Sequence, residues 1–150
     1  MESSKRATWI KYFMKIAYLV ATRSTCIRGD RGCVLVKDWK IIATGYNGVP
    51  QGFDHCTHDT CEREKQSIPS GSRLDICNGL HAEENAILQV ASSTLSTIGC
   101  SIFVTVHPCT HCAKLIIGAG IENVYYSSDY DNNNAKILLQ NAKINVIKVE

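Results

Sequence analysis

The chain has 150 residues, 45% of them apolar and 20% charged, with a formal net charge of +2. That length allows one domain with a real hydrophobic core, and the balance fits a soluble globular protein. So small a charge, with no dense lysine/arginine cluster, argues against a nucleic-acid polymer as partner.

Nothing reads as a targeting or membrane segment. Lys11 and Lys15 interrupt the apolar stretch near the start, and no run approaches the roughly 20 residues of a spanning helix. The cytoplasm is the expected compartment. The eight cysteines are many for such a chain. Without an export signal, metal ligation is a stronger reading than disulfides, and some cysteines fill the core as small hydrophobes.

In chain order, Trp9, Ile10, Phe13, Met14, Ala17, Tyr18 and Ala21 recur at helical spacing and predict a helix over 5–22. After the loop STCIRGDRG, the runs CVLVKD and KIIATG predict a hairpin turning at Asp38 and Trp39. Residues 46–80 show no sustained period. An irregular insertion of that length needs a function or a staple. A helix over 81–92, a strand over 101–106 and a helix over 108–120 ended by glycine come next. A strand over 124–128, a helix over 132–142 with asparagine caps and a strand over 145–149 complete the chain. This alternation predicts one α/β domain over 1–150, a three-layer α/β/α arrangement with a mixed central sheet. No repeat or linker divides it.

The chemistry concentrates in HAEENAIL, residues 81–88, and HPCTHC, residues 107–112. Cys109 and Cys112 open a helix, where free N–H groups and the helix dipole favour thiolate. Pro108 suits the approach, because its missing N–H costs nothing there. With His81, the two sulfurs make a three-ligand zinc site that keeps a corner for water. Residues 81 and 83 lie about 200° apart on an ideal helix, so Glu83 converges with His81 only if His81 sits at the helix entrance. Glu83 then stands beside the metal as a carboxylate free to carry protons. Glu84 points elsewhere, as a cap or surface residue.

Alternatives exist for each piece. The C-x-x-C pair also fits a redox pair or half of a structural zinc site. A fourth protein ligand, His107 or His111, would close the site and leave Glu83 without a task. H-x-E followed by P-C-x-x-C is the arrangement of zinc nucleobase deaminases.

The chain resembles the deoxycytidylate (dCMP) deaminases. The likeness runs from about Arg23 to Asn145, through RSTC-x-R at 23–28, TGYNGVP-x-G at 44–52, HC at 55–56, HAEENAI at 81–87, V-x-PC-x-x-CAK-x-I at 106–116 and AG-x-x-x-VYY at 119–126. The resemblance implies a cytidine-deaminase-like fold, catalytic zinc on His81, Cys109 and Cys112, and Glu83 as proton shuttle. It implies hydrolysis of dCMP to dUMP and ammonia, feeding thymidylate synthesis. Asn47 would contact the substrate sugar. Gly45, Tyr46, Asn47 and Gly48 would belong to an allosteric site that dCTP activates and dTTP inhibits, with Mg2+ accompanying the effector, in a homohexamer. On its own, the Asn-Gly step supports only a tight turn with close ligand approach.

A monophosphate needs cationic donors, and Arg28 and Arg31 are the candidates, with plain solvent exposure as the alternative. Tyr126 and Tyr130 fit a base or sugar pocket, or equally core or interface. A carbonyl of Val106 or His107 could hold the departing amine. Cys26, Cys56, Cys61 and Cys77 bracket the insertion and would hold a second, structural zinc, with His55 or His58 as substitutes; reduced thiols are the other reading. Cys33 and Cys100, at strand starts, read as buried small side chains.

Overall fold

The computed structural model describes residues 5–150. The first helix, α1, runs Trp9–Ala21 and starts later than the periodicity predicts. Thr8 stops it by adopting extended backbone and accepting a hydrogen bond from the Lys11 amide, 3.3 Å, as an N-cap. Strands β1 (Gly32–Lys37) and β2 (Lys40–Tyr46) form the expected hairpin. Its turn residues Asp38 and Trp39 both have positive φ, 49° and 61°, the geometry of a two-residue turn that matches strand twist. Tryptophan is an uncommon occupant of that region, and here its ring lies 5.9 Å from that of Trp9.

The remaining elements are α2 (Glu62–Lys65), a 3-10 turn at Leu74–Ile76, α3 (Ala82–Ala91), β3 (Ser101–Val106), α4 (Thr110–Gly118), β4 (Asn123–Ser128), α5 (Asn133–Asn141) and β5 (Asn145–Lys148). Asn132 caps α5 by accepting from the Ala135 amide at 3.0 Å, and Gly120, with φ of 72°, follows α4. The five strands lie in the order β2-β1-β3-β4-β5. β1 is antiparallel to β2 and β3, while β3, β4 and β5 are parallel. The sheet is therefore mixed, as expected.

Alternation along the central strands sends side chains to two cores. Val34, Val36 and Phe103 face Phe13, Met14 and Ala17 of α1. Cys33, Leu35, Ile102, Val104 and Val124 face the opposite way, against Ala86 and Val90 of α3, Ala113 and Ile116 of α4, and Ala135 and Leu139 of α5. These are the three layers. Cys33 and Cys100 are fully buried, consistent with a packing role.

The insertion is closed at its neck. Gly48 and Leu80 exchange backbone hydrogen bonds of 3.1 and 2.7 Å. Just before the neck, Gly45 lies directly against α3: a Cβ there would stand 2.2 Å from the Ala82 carbonyl oxygen and 2.5 Å from the Ala86 nitrogen. The glycine thus lets β2 press onto the helix that begins with the catalytic candidates. Gly45→Ala is expected to destabilise the fold by about 2 kcal/mol through overpacking, lowering the calorimetric Tm by roughly 4–8 °C. A Tm unchanged within error would mean that strand and helix are not in backbone contact.

Candidate active site

Two helices begin near the carboxyl end of β3, and their first residues make the site. His81 is the N-cap of α3, with φ −74° and ψ 159°. This extended backbone turns the imidazole toward the side of the helix that Glu83 faces. Glu84 completes the turn: its carboxylate accepts from the His81 amide at 3.0 Å and its other oxygen lies 3.3 Å from His111 Nε2. Glu84 is therefore a cap. Cys109 is the N-cap of α4, its sulfur accepting from the Cys112 amide at 3.4 Å.

His81 Nδ1 lies 3.4 Å from Cys109 Sγ and 3.3 Å from Cys112 Sγ. The three ligand atoms all fall within 4.8 Å of one another. Zinc–sulfur bonds of about 2.3 Å and zinc–nitrogen bonds of about 2.0–2.1 Å, at tetrahedral angles, put N and S about 3.6 Å apart. Both nitrogen–sulfur distances fit zinc to within a few tenths of an ångström, and the two thiols and imidazole are the donor types that zinc prefers. Among the described residues no other side chain joins the group. His111 is half exposed and turned to Glu84, and His107 Nδ1 lies 2.9 Å from the Pro108 carbonyl. Neither closes the site.

Glu83 is 7% exposed, with Oε2 3.5 Å from Cys112 Sγ. Burial raises its carboxyl above the usual range. The two sulfurs titrate as a pair. The hydrogen bond from Cys112, and then that from His81, hold Cys109 down to about 4. The same sulfur–sulfur contact, then burial, drives Cys112 upward. His81 is raised, first by its bond to Cys109. One thiolate beside an imidazole is a centre ready for a cation.

A cavity of about 130 Å³ opens over this floor, with Glu83, His81 and Cys109 at the base and Asn47, Arg63 and Tyr130 among its walls. Asn47 lines it while organising the loop beneath. Its Oδ1 accepts from Ser24 Oγ at 2.6 Å and the Arg31 amide at 2.9 Å, and its Nδ2 donates to the Gly29 carbonyl at 2.8 Å. One amide N–H is left for a ligand.

Arg28 also reaches the cavity, but its guanidinium is engaged: Nη1 donates to Glu64 Oε1 at 2.7 Å and Nη2 to the Ile68 carbonyl at 2.5 Å. It ties the 24–31 loop to the insertion. Arg31 stands at the rim and donates to the Asp30 carbonyl. Tyr130 lines the cavity, whereas Tyr126 packs edge-on against His107, ring centroids 4.8 Å apart, and backs the wall from behind. Of the GYNG residues, Gly45, Tyr46 and Gly48 line a separate surface groove with Phe53, Asn85 and Gln89. Only Asn47 reaches the active-site cavity.

Cys26, Cys56, Cys61 and Cys77 gather across the insertion. The Cys56 thiol is raised first by burial and then by the charges of Cys61, Cys26 and Cys77. The sulfurs of Cys26 and Cys77 each accept a backbone N–H at 3.4 Å. His58 is turned to Glu64, 3.8 Å away, and His55 lines the outer groove. Within 4.8 Å, however, only the His81 group brings three ligand atoms together among the described residues. Arg63, a buried arginine on α2, lines the cavity without any signal in the sequence. Nothing in the charged run CEREK separates it from a solvated neighbour.

The sequence profile described as "Cytidine and deoxycytidylate deaminase zinc-binding region" matches residues 7–128. The chain belongs to this family. It is 38% identical over 135 residues to a Schizosaccharomyces pombe protein named deoxycytidylate deaminase, covering 89% of this chain and 42% of that one. It is 40% identical to the deoxycytidylate deaminase of Mycobacterium phage D29, covering 83% of this chain and 98% of the phage protein. The chain thus spans under half of the yeast relative and nearly all of the phage one. The crystal structure of dCMP deaminase from the cyanophage S-TIM5, in complex with dCMP and dUMP, superposes with a TM-score of 0.79 at 36% identity, covering 93% of this chain and 95% of that one. The fold is the α/β cytidine deaminase fold anticipated above.

His81→Ala is expected to remove about one equivalent of zinc per chain, read by elemental analysis of folded protein dialysed against chelator-free buffer. Retention of all zinc would place the metal elsewhere.

Proposed function

We propose that the chain hydrolyses dCMP to dUMP and ammonia, a hydrolase acting on a cyclic amidine, and so supplies dUMP for thymidylate synthesis. The observation that carries this reading is one buried carboxylate, Glu83, beside a His–Cys–Cys triangle at the base of a cavity with arginines in its wall. Its relatives named deoxycytidylate deaminase support it, as does the dCMP and dUMP held by the S-TIM5 enzyme.

His81, Cys109 and Cys112 would hold zinc, which as a Lewis acid makes water acidic near neutral pH. Glu83 takes the proton that water loses as its oxygen bonds to C4 of cytosine, and passes it to N3. The adduct at C4 then releases the amine as ammonia after a second proton, again carried by Glu83, reaches it. Carbonyls of Val106 or His107, both at the cavity, would accept from the departing amine. Asn47 offers its free N–H to the sugar, and Tyr126 acts indirectly by propping His107.

Residues 1–150 would act as one cytoplasmic domain, with the 46–80 insertion as a wall of its pocket. Cys26, Cys56, Cys61 and Cys77 would hold a second, structural zinc that fixes that wall. The groove at Gly45, Tyr46 and Gly48 would receive dCTP or dTTP with Mg2+. Asn47, continuous with it, touches the catalytic cavity, which gives effector binding a short route to the substrate. A homohexamer would cover exposed apolar residues such as Phe53 and Leu88. No described helix is long and apolar enough to cross a membrane.

Glu83→Gln is expected to lower kcat for ammonia release from dCMP at least about 1,000-fold while zinc stays at two equivalents per chain. Turnover within tenfold of wild type would remove Glu83 as the proton carrier, and a single equivalent would remove the structural ion.

A further inference from the structure

We propose that Arg63 is the receptor for the substrate's 5′-phosphate and the residue that restricts the site to nucleoside monophosphates; this rests on the deamination reading above. Arg63 comes from α2, inside the insertion, and lines the same cavity as Glu83 and His81. It is 7% exposed. Its one side-chain hydrogen bond among the described residues runs from Nη2 to the Pro69 carbonyl, 3.3 Å, and its Nε is buried with no acceptor. Buried polar groups are nearly always paired, so an orphaned guanidinium N–H asks for a partner.

Among the described residues no carboxylate pairs with it. Glu64, the next residue, gives one oxygen to Arg28 and faces His58 with the other. Glu62 pairs with Lys65, and Asp75 with Arg73. A guanidinium buried this far without a counter-charge bears an uncompensated desolvation cost, which an anionic ligand would offset. A planar fork of N–H donors matches a phosphate group.

The other two arginines are less suited. Arg28 has its fork occupied by Glu64 and Ile68, and Arg31 stands at the rim. Next to Arg63 the wall is closed by Gly71 and Tyr130. A Cβ on Gly71, which has φ of 76°, would stand 2.1 Å from the Tyr130 hydroxyl. Burial and then the Cys109 thiolate raise the Tyr130 phenol, and Arg63 and Arg31 oppose them. Tyr130, Cys109, Glu83 and Arg63 all line this one cavity, so a nucleotide with its base over Glu83 would have Arg63 in the same pocket for its phosphate.

The test uses the full chain with its zinc, as wild type, Arg63→Gln and Arg63→Lys, with melting temperature and zinc content recorded. Steady-state deamination of dCMP and deoxycytidine is compared, and binding of inorganic phosphate is followed by calorimetry. Loss of a charged hydrogen-bonding partner predicts a rise in KM for dCMP of about 30-fold or more in Arg63→Gln. Little change is expected in kcat, and less than threefold change in kcat/KM for deoxycytidine. Arg63→Lys should recover part of the loss, and phosphate should bind wild type and not Arg63→Gln. A KM for dCMP within threefold of wild type would overturn the proposal. So would an equal loss on both substrates, which marks a purely structural residue. If wild type binds phosphate through Arg63 yet releases no ammonia from either substrate, the phosphate subsite stands and the deamination reading falls.

Discussion

Two sulfurs and one imidazole nitrogen meet because two helices begin at the same end of the sheet. Each ligand-bearing turn depends on a residue that is not yet helical: His81 and Cys109 are both N-caps with extended backbone. That single feature brings His81 and Glu83 to one side of α3, which a regular helix would separate. It also turns the Cys109 sulfur back toward the Cys112 amide. Gathering these groups is unfavourable for the bare chain, since two thiols and a carboxyl lie buried together. Structural zinc in zinc-finger peptides contributes on the order of 10–16 kcal/mol at neutral pH, and zinc held by these three ligands would offset the cost in the same way.

The second constraint is the insertion. Its ends are joined by the Gly48–Leu80 bridge, and Arg28 crosses to Glu64 and Ile68. Across it, the Cys56 thiol is raised first by burial and then by Cys61, Cys26 and Cys77, which lie near enough to act on it. Joined this way, a segment with little regular structure forms a wall that carries Arg63, Ser70 and Gly71 to the same cavity as Glu83. In the proposed reaction the sheet and helices would supply the reacting end of the site, and the insertion the end that selects the nucleotide. Asn47 lies where the two meet: its carboxamide organises the 24–31 loop, while its neighbours Tyr46 and Gly48 open on the outer groove.

Much of this was legible in the sequence because the signals are local. Helical spacing over Trp9–Ala21, short β-branched runs and cap residues such as Asn132 act within a few positions, and strand–helix alternation points to a sheet covered by helices, though not to its strand order. The metal triangle was legible because histidine, glutamate and paired cysteines each stand at a helix start. Long-range pairing was not. Arg28 reads as a phosphate donor until Glu64, 36 residues away, takes its guanidinium. Tyr126 and Tyr130 look alike along the chain, yet the strand sends one behind His107 and the turn beyond it sends the other into the cavity. Arg63 lies in a four-residue helix too short to show a period, so its burial appears only once the insertion is folded.

The most direct test of the convergence of His81, Cys109 and Cys112 is a crystal structure of the zinc-loaded protein with anomalous data collected at the zinc edge. Expected is a peak bonded to His81 Nδ1, Cys109 Sγ and Cys112 Sγ at about 2.0–2.3 Å, with a non-protein oxygen in the fourth position and Glu83 within hydrogen-bonding reach of it. A peak with a fourth side chain as ligand, or no peak between these residues, would contradict the enzyme reading.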